Sequence, residues 1–177
     1  MERIGIFCAA CEQIDKSYFD AARELGLWMG REGKTLVYGG SDLGLMDCIA
    51  RSVKEAGGRV FGVVPQILEE RNHVSDLLDV NFACVNLSDR KDIMIEESDV
   101  MVALPGGVGT LDEVFTVVSA HSIGYHQKKV ILYNVGGYWN ELINCLETMQ
   151  QKGFMRHGVE EYLTVVDTLD ELKQMLK

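Results

Sequence analysis

Short, nearly uninterrupted apolar runs alternate with longer amphipathic segments along this chain. The runs Arg3–Ala9, Thr35–Tyr38, Arg59–Val64, Asn81–Val85, Asp99–Leu104, Lys129–Asn134 and Leu163–Val166 predict strands. The segments Ser17–Glu32, Leu43–Ala56, Ser88–Glu97, Leu111–Ile123, Tyr138–Lys152 and Leu169–Leu176 carry helical spacing. Breakers punctuate them at Gly33, Gly39-Gly40, Gly57-Gly58, Pro65, Pro105-Gly106-Gly107 and Gly136-Gly137. Thr168-Leu169-Asp170-Glu171 has the capping-box spacing that starts a helix. Strands that are apolar on both faces, separated by helices, predict an α/β fold: a doubly wound parallel sheet covered on both sides. With two prolines and no linker-like stretch, residues 1–177 read as one domain.

Composition narrows the class. A hydrophobic content of 47% suits one globular domain with a sizeable core. The formal net charge of -10 disfavours nucleic acid and anionic membranes as partners, while leaving room for a small phosphorylated ligand. No apolar stretch is long enough to span a bilayer, and Ile4–Ala10 is too short for a signal peptide, so a cytoplasmic protein is expected. Five cysteines, an odd number, argue against a disulfide framework.

In a parallel sheet, ligands collect at the carboxyl ends of the strands. Four stretches fall there: Ala9–Glu12, Gly39–Gly44, Leu87–Lys91 and Pro105–Thr110. The last is the most informative. Its Gly106-Gly107-Val108-Gly109 lies between a strand and a helix, where backbone N–H groups and the helix dipole hold phosphate. Glu113 follows one turn into that helix. A phosphate cradle needs no carboxylate, so Glu113 suggests chemistry beside a bound phosphate. The competing reading makes Thr110 an N-cap and Glu113 its capping-box partner. Gly39–Met46 is either a second anion loop, with Gly40 and Ser41 at its centre, or a tight turn whose glycines only satisfy geometry. Arg90-Lys91 open a helix against its dipole; they face an anionic ligand or are neutralised by Asp89 and Asp92.

Other patterns are weaker. Cys8 and Cys11 have C-x-x-C spacing, but no later proline precedes a strand as a thioredoxin fold requires, and Cys8 ends a core strand. Cys48, Cys84 and Cys145 are scattered, and His121 with His126 lacks helical ligand spacing, so no metal site is expected. Lys34, Lys91 and Lys129 have no context for a Schiff base. The helix Leu111–Ile123 is apolar on almost every face and should be buried all round, by a partner subunit or by this chain's own helices.

Taken together, Pro105–Glu113 (P-G-G-x-G-T-x-x-E), Gly39–Met46 (G-G-x-x-x-G-L-M) and Arg90-Lys91 resemble the LONELY GUY (LOG) family of nucleotide phosphoribohydrolases. The resemblance covers nearly the whole chain. It implies a Rossmann-like fold and hydrolysis of the N-glycosidic bond of a nucleoside 5′-monophosphate, AMP or an N6-substituted AMP (a cytokinin riboside monophosphate). The products are a free base and ribose 5-phosphate. It implies Arg90 and Glu113 as the catalytic pair, with Gly106, Gly107, Gly109 and Thr110 holding the 5′-phosphate and Gly40, Ser41 and Lys91 also binding the nucleotide. It implies a homodimer and no metal or redox cofactor. A non-catalytic nucleotide carrier of the same fold is the alternative. The family commonly has Gly-Ser-Ser where this chain has Ala9-Ala10-Cys11. It has glycines at the positions of Ser41 and Asp47.

Overall fold

A computed structural model describes residues 1–70 and 73–177. All seven expected strands form, and all pair in parallel in one sheet of order β4-β3-β2-β1-β5-β6-β7. They are β1 (Arg3–Phe7), β2 (Thr35–Tyr38), β3 (Arg59–Pro65), β4 (Val80–Cys84), β5 (Val100–Ala103), β6 (Val130–Tyr133) and β7 (Leu163–Val166). The helices are α1 (Lys16–Arg31), α2 (Gly44–Glu55), α3 (Gln66–Glu70), α4 (Leu87–Glu96), α5 (Val108–Ser122), α6 (Asn140–Gln151), α7 (Val159–Tyr162) and α8 (Leu169–Leu176). The chain steps outward from β1 to β4, then returns to pair β5 with β1. That reversal is the topological switch point of a Rossmann-like sheet.

Strand alternation distributes the core. Ile4 and Ile6 of β1 point to one face, where Leu25 and Met29 of α1, Ile49 and Val53 of α2 and Leu172 and Leu176 of α8 cover them. Phe7 and Met101 point to the other, against Met94 of α4, Val114 and Val117 of α5 and Leu146 of α6. Most of these side chains are fully buried, and each is worth about 1.5–3 kcal/mol against exposure. No helix among the described residues is long and apolar enough to cross a membrane.

Three boundaries differ from the sequence reading by two residues or more, each for a local reason. β1 ends at Phe7, because the Ala9 N–H leaves the ladder to donate to Pro105 O at 3.2 Å. α6 starts at Asn140 rather than Tyr138, because a 3-10 turn at Val135–Gly137 comes first and the Trp139 N–H donates to Asn134 Oδ1 at 2.7 Å. α5 starts at Val108, three residues early, capped by the Gly107 backbone without a side chain. Thr110 therefore sits inside the first turn, and the Thr110–Glu113 capping box does not form. The box expected at Thr168 and Glu171 does form, with the Glu171 N–H donating to Thr168 Oγ1 at 3.2 Å. The two short helices α3 and α7 span too few residues to show a period.

Candidate active site

The carboxyl edge of the sheet gathers the loops after β1, β2 and β5 as expected. The Ala9 N–H binds Pro105 O, and the Leu45 N–H binds Ala9 O at 2.9 Å, so the loops after β1, β2 and β5 are tied to one another through Ala9. Gly107, Val108 and Gly109 are exposed at the start of α5, while Gly106 and Thr110 are buried. A side chain at Gly106 would collide with the Thr110 hydroxyl and methyl, so the loop closes down on its own helix only because residue 106 has no Cβ. The exposed N–H groups of the first turn have no intrahelical partner, which suits them to an anion.

Arg90 and Glu113 meet beside this loop. Arg90 comes from α4, whose N-cap Asn86 accepts the N–H groups of Ser88 and Asp89 at 2.9 and 3.0 Å. Its Nη1 donates to Glu113 Oε1 at 2.9 Å and its Nε donates to Val63 O at 3.2 Å. Both side chains are nearly buried, 11% and 6% exposed. Burial pushes the Glu113 carboxyl up to about 7, against the opposing pull of the Arg90 charge. Asp112 adds to the upward push and Lys91 to the downward one. The pair therefore holds a carboxyl group able to exchange a proton near neutral pH, oriented by a guanidinium that is itself fixed at a backbone carbonyl.

Gly39 supplies Arg90 with its seat. Any side chain at residue 39 would overlap the Arg90 guanidinium. This close approach explains the first glycine of the second loop without invoking an anion. Gly40 and Ser41 reach the same edge, but their backbone serves another purpose. Gly40 O accepts the Ser75 N–H at 2.9 Å, and Ser41 is buried and bridged to Val74. Lys91 points away from the pair: its Nζ lies 2.8 Å from the Asp112 carboxylate. The expected facing of Arg90-Lys91 toward an anion thus divides, with Lys91 neutralised by Asp112 rather than by Asp89 or Asp92.

Two participants escaped the sequence reading. The Val63 carbonyl is invisible to any pattern of side chains. Tyr138 donates its hydroxyl to Gly106 O at 2.8 Å. Its position just after Gly136-Gly137, at the carboxyl end of β6, was a signal that the same edge extends to a fifth loop.

The remaining motifs settle quietly. Cys8 is buried, and burial raises its thiol far above the usual range, while Cys11 is exposed; both are free. A thiol held protonated in the core is a poor nucleophile, which removes the redox reading. Lys34 and Lys129 immediately precede β2 and β6, at the amino edge opposite the site, where Lys34 Nζ binds Met1 O and Lys129 Nζ binds Glu160 O. α5 is not buried all round. Val114 and Val117 are core, Leu111, Phe115 and Val118 are half-buried, and Ile123 just beyond the helix is exposed. One flank packs on the sheet, and the other faces an open groove shared with α4 and lined by Lys91, Phe115, Ile123 and Tyr125.

Fold and site define a Rossmann-like α/β protein whose switch point carries a glycine loop beside a buried arginine–glutamate pair. Residues 46–176 match the family model described as "Possible lysine decarboxylase". The cytokinin riboside 5′-monophosphate phosphoribohydrolase LOG3 of Arabidopsis thaliana is 34% identical over 175 residues, 99% of this chain and 81% of the relative. LOG1 of the same plant is 35% identical over 176 residues, covering 99% and 83%. The chain belongs to this LONELY GUY family. Among solved structures, the Moco carrier protein of Chlamydomonas reinhardtii superposes with a TM-score of 0.73 at 27% identity, covering 99% of this chain and 97% of that one.

Proposed function

We propose that this protein is a nucleoside 5′-monophosphate phosphoribohydrolase, releasing a purine base and ribose 5-phosphate from AMP or an N6-substituted AMP. The observation that carries the reading is the buried Arg90–Glu113 pair one helical turn from the exposed amino terminus of α5. In this reading the 5′-phosphate rests on the N–H groups of Gly107, Gly109 and Thr110, in the positive field of the helix. Gly106 shapes that loop, and Gly40 and Ser41 shape its neighbour. The phosphate then sets the ribose over Glu113.

Breaking the bond from C1′ to the base nitrogen leaves positive charge on the ribose, as in other glycoside cleavages. Ionised Glu113 stabilises that charge and accepts a proton from the attacking water. The water oxygen bonds to C1′ as the base departs with the bonding pair and takes up a proton. Arg90 keeps the carboxylate aimed by holding one oxygen, and Val63 O keeps Arg90 from turning away. Neither residue needs to move during the reaction, which is the condition for preorganised electrostatic catalysis.

The half-buried flank of α5, with Phe115, Val118 and the exposed Ile123, supports a homodimer in which a second copy covers the groove beside α4. The likeness to a Moco carrier favours a second reading, a carrier that binds a phosphorylated ligand without cleaving it. Incubating the purified protein with a panel of nucleoside monophosphates, followed by chromatography, separates the two. Free adenine from AMP, with adenosine a much poorer substrate, supports the hydrolase. Equal turnover of AMP and adenosine refutes the phosphate-anchored site, and binding without any free base establishes the carrier.

A further inference from the structure

Tyr138 stands outside the residues that the family resemblance brings to the site, yet it touches the glycine loop directly. Its hydroxyl donates to Gly106 O at 2.8 Å, across 32 positions of sequence. The ring is held on two sides. It meets Tyr18 of α1 edge-on with centroids 5.6 Å apart, and Trp139 edge-on at 4.8 Å. The turn that presents it is fixed just as firmly. Asn134, buried at the end of β6, donates from Nδ2 to Asn140 Oδ1 at 2.9 Å and to Asp167 Oδ1 at 2.8 Å. Its Oδ1 accepts the Trp139 N–H. Gly136 and Gly137, with φ of 60° and 77°, turn the chain back so that Tyr138 leans toward the loop after β5.

The bond acts on a particular peptide unit. The chain has no cis peptide among its described residues, so the Gly106 carbonyl and the Gly107 N–H point in opposite directions. Holding the carbonyl at Tyr138 turns the Gly107 N–H away from Tyr138. Gly106-Gly107 is the most freely rotating peptide of the loop, since neither residue has a side chain to limit it. Without an anchor this peptide could rotate and present its carbonyl oxygen, which repels an anion, in place of its N–H.

The geometry points to Tyr138 as a positioning residue that locks the Gly106–Gly107 peptide with its N–H available to the 5′-phosphate. This rests on the phosphate-loop reading above, and it assigns the selectivity for phosphate in part to the loop after β6. Losing the anchor should cost about the value of one hydrogen bond in a phosphate-dependent affinity, on the order of 10-fold.

Tyr138→Phe removes only the hydroxyl and keeps both edge-on ring contacts. Wild type and Tyr138→Phe are titrated calorimetrically with ribose 5-phosphate, and with ribose as the control. KM and kcat for AMP and the melting temperature are measured alongside. The expected result is a ~10-fold weaker ribose 5-phosphate affinity and a matching rise in KM, with kcat within about twofold and Tm within about 2 °C. Wild-type affinity for ribose 5-phosphate in Tyr138→Phe would overturn the assignment while leaving the phosphate loop standing. A lowered Tm with unchanged phosphate affinity would overturn it as well, making Tyr138 a packing residue. If wild type binds ribose 5-phosphate no better than ribose, the phosphate-loop reading itself fails and takes this assignment with it.

Discussion

Replacing Glu113 with glutamine keeps the side chain's size and leaves an oxygen for Arg90 Nη1, but removes the charge. The Glu113 carboxyl ionises at about 7 in the folded chain against an ordinary value of 4.5. Each pH unit between those values is worth about 1.4 kcal/mol. Ionised Glu113 therefore costs the folded state about 3 kcal/mol once pH exceeds about 7, even with Arg90 beside it. Below about pH 4.5 the group is protonated in both folded and unfolded chains, and the cost vanishes. Stability attributable to this residue is thus fully present in acid and is lost as pH rises through 7. Glu113→Gln is exempt from the loss. Melting curves of wild type and mutant should converge at pH 4.5 and separate by about 6–12 °C in the mutant's favour at pH 8, at 2–4 °C per kcal/mol for a chain of this size. Over the same range the mutant's turnover of AMP should fall by roughly 10² to 10⁴. A Tm difference that does not change with pH would refute the account of Glu113 burial. Retained activity would refute its role in the chemistry.

Two further substitutions test the surroundings of the pair. Gly39→Ala places a methyl group against the Arg90 guanidinium, so it should lower kcat by on the order of 10-fold or more with the fold intact by circular dichroism; unchanged kcat would show that Arg90 needs no such seat. For the dimer, Val117 is fully buried within its own chain and is unsuitable as a probe, whereas Ile123 is 62% exposed beside the groove. Ile123→Asp should dissociate a wild-type dimer seen by light scattering at micromolar concentration, because an unpaired charge buried at an interface costs several kcal/mol; a wild-type mass of 19.8 kDa at every concentration would refute dimerisation.

The architecture was legible because burial on both faces writes itself into a parallel strand as an unbroken apolar run. Val100, Met101, Val102 and Ala103 of β5 are all buried, and the pattern around them needs no tertiary information. The loops were legible because glycine and proline both interrupt regular elements, glycine through its wide backbone freedom and proline through its fixed φ and missing N–H. What pattern could not supply was side-chain partnership between distant elements. Arg90 and Lys91 are adjacent in sequence and both cationic, yet one seats at Gly39 and Val63 O while the other pairs with Asp112. Helical rotation of about 100° per residue separates their directions, and only the packing of α4 on α5 says which direction faces the site. The capping box at Thr110 failed where the one at Thr168 succeeded because α5 already begins at Val108, capped by the Gly107 backbone, which places Thr110 inside the first turn. Tyr138 was missed because a hydroxyl-to-carbonyl bond across two loops leaves no spacing to detect.

Arg90 and Glu113 are both carried by helices on the same face of the sheet, so their separation is set by how α4 and α5 rest on the strands beneath. Met94, Met101, Val114 and Val117 form that bed, far too apolar to join any reaction. Exchanging one for a smaller or larger side chain shifts the helices by fractions of an ångström and changes a 2.9 Å contact without touching it. The opposite face, under α1, α2 and α8, positions no member of the pair. The two halves of this core should therefore evolve, and be engineered, under different rules. Apart from Tyr18, which holds the Tyr138 ring, repacking beneath α1, α2 and α8 can be judged on stability, while every change beneath α4 and α5 is also a change to the spacing of an acid and its guide.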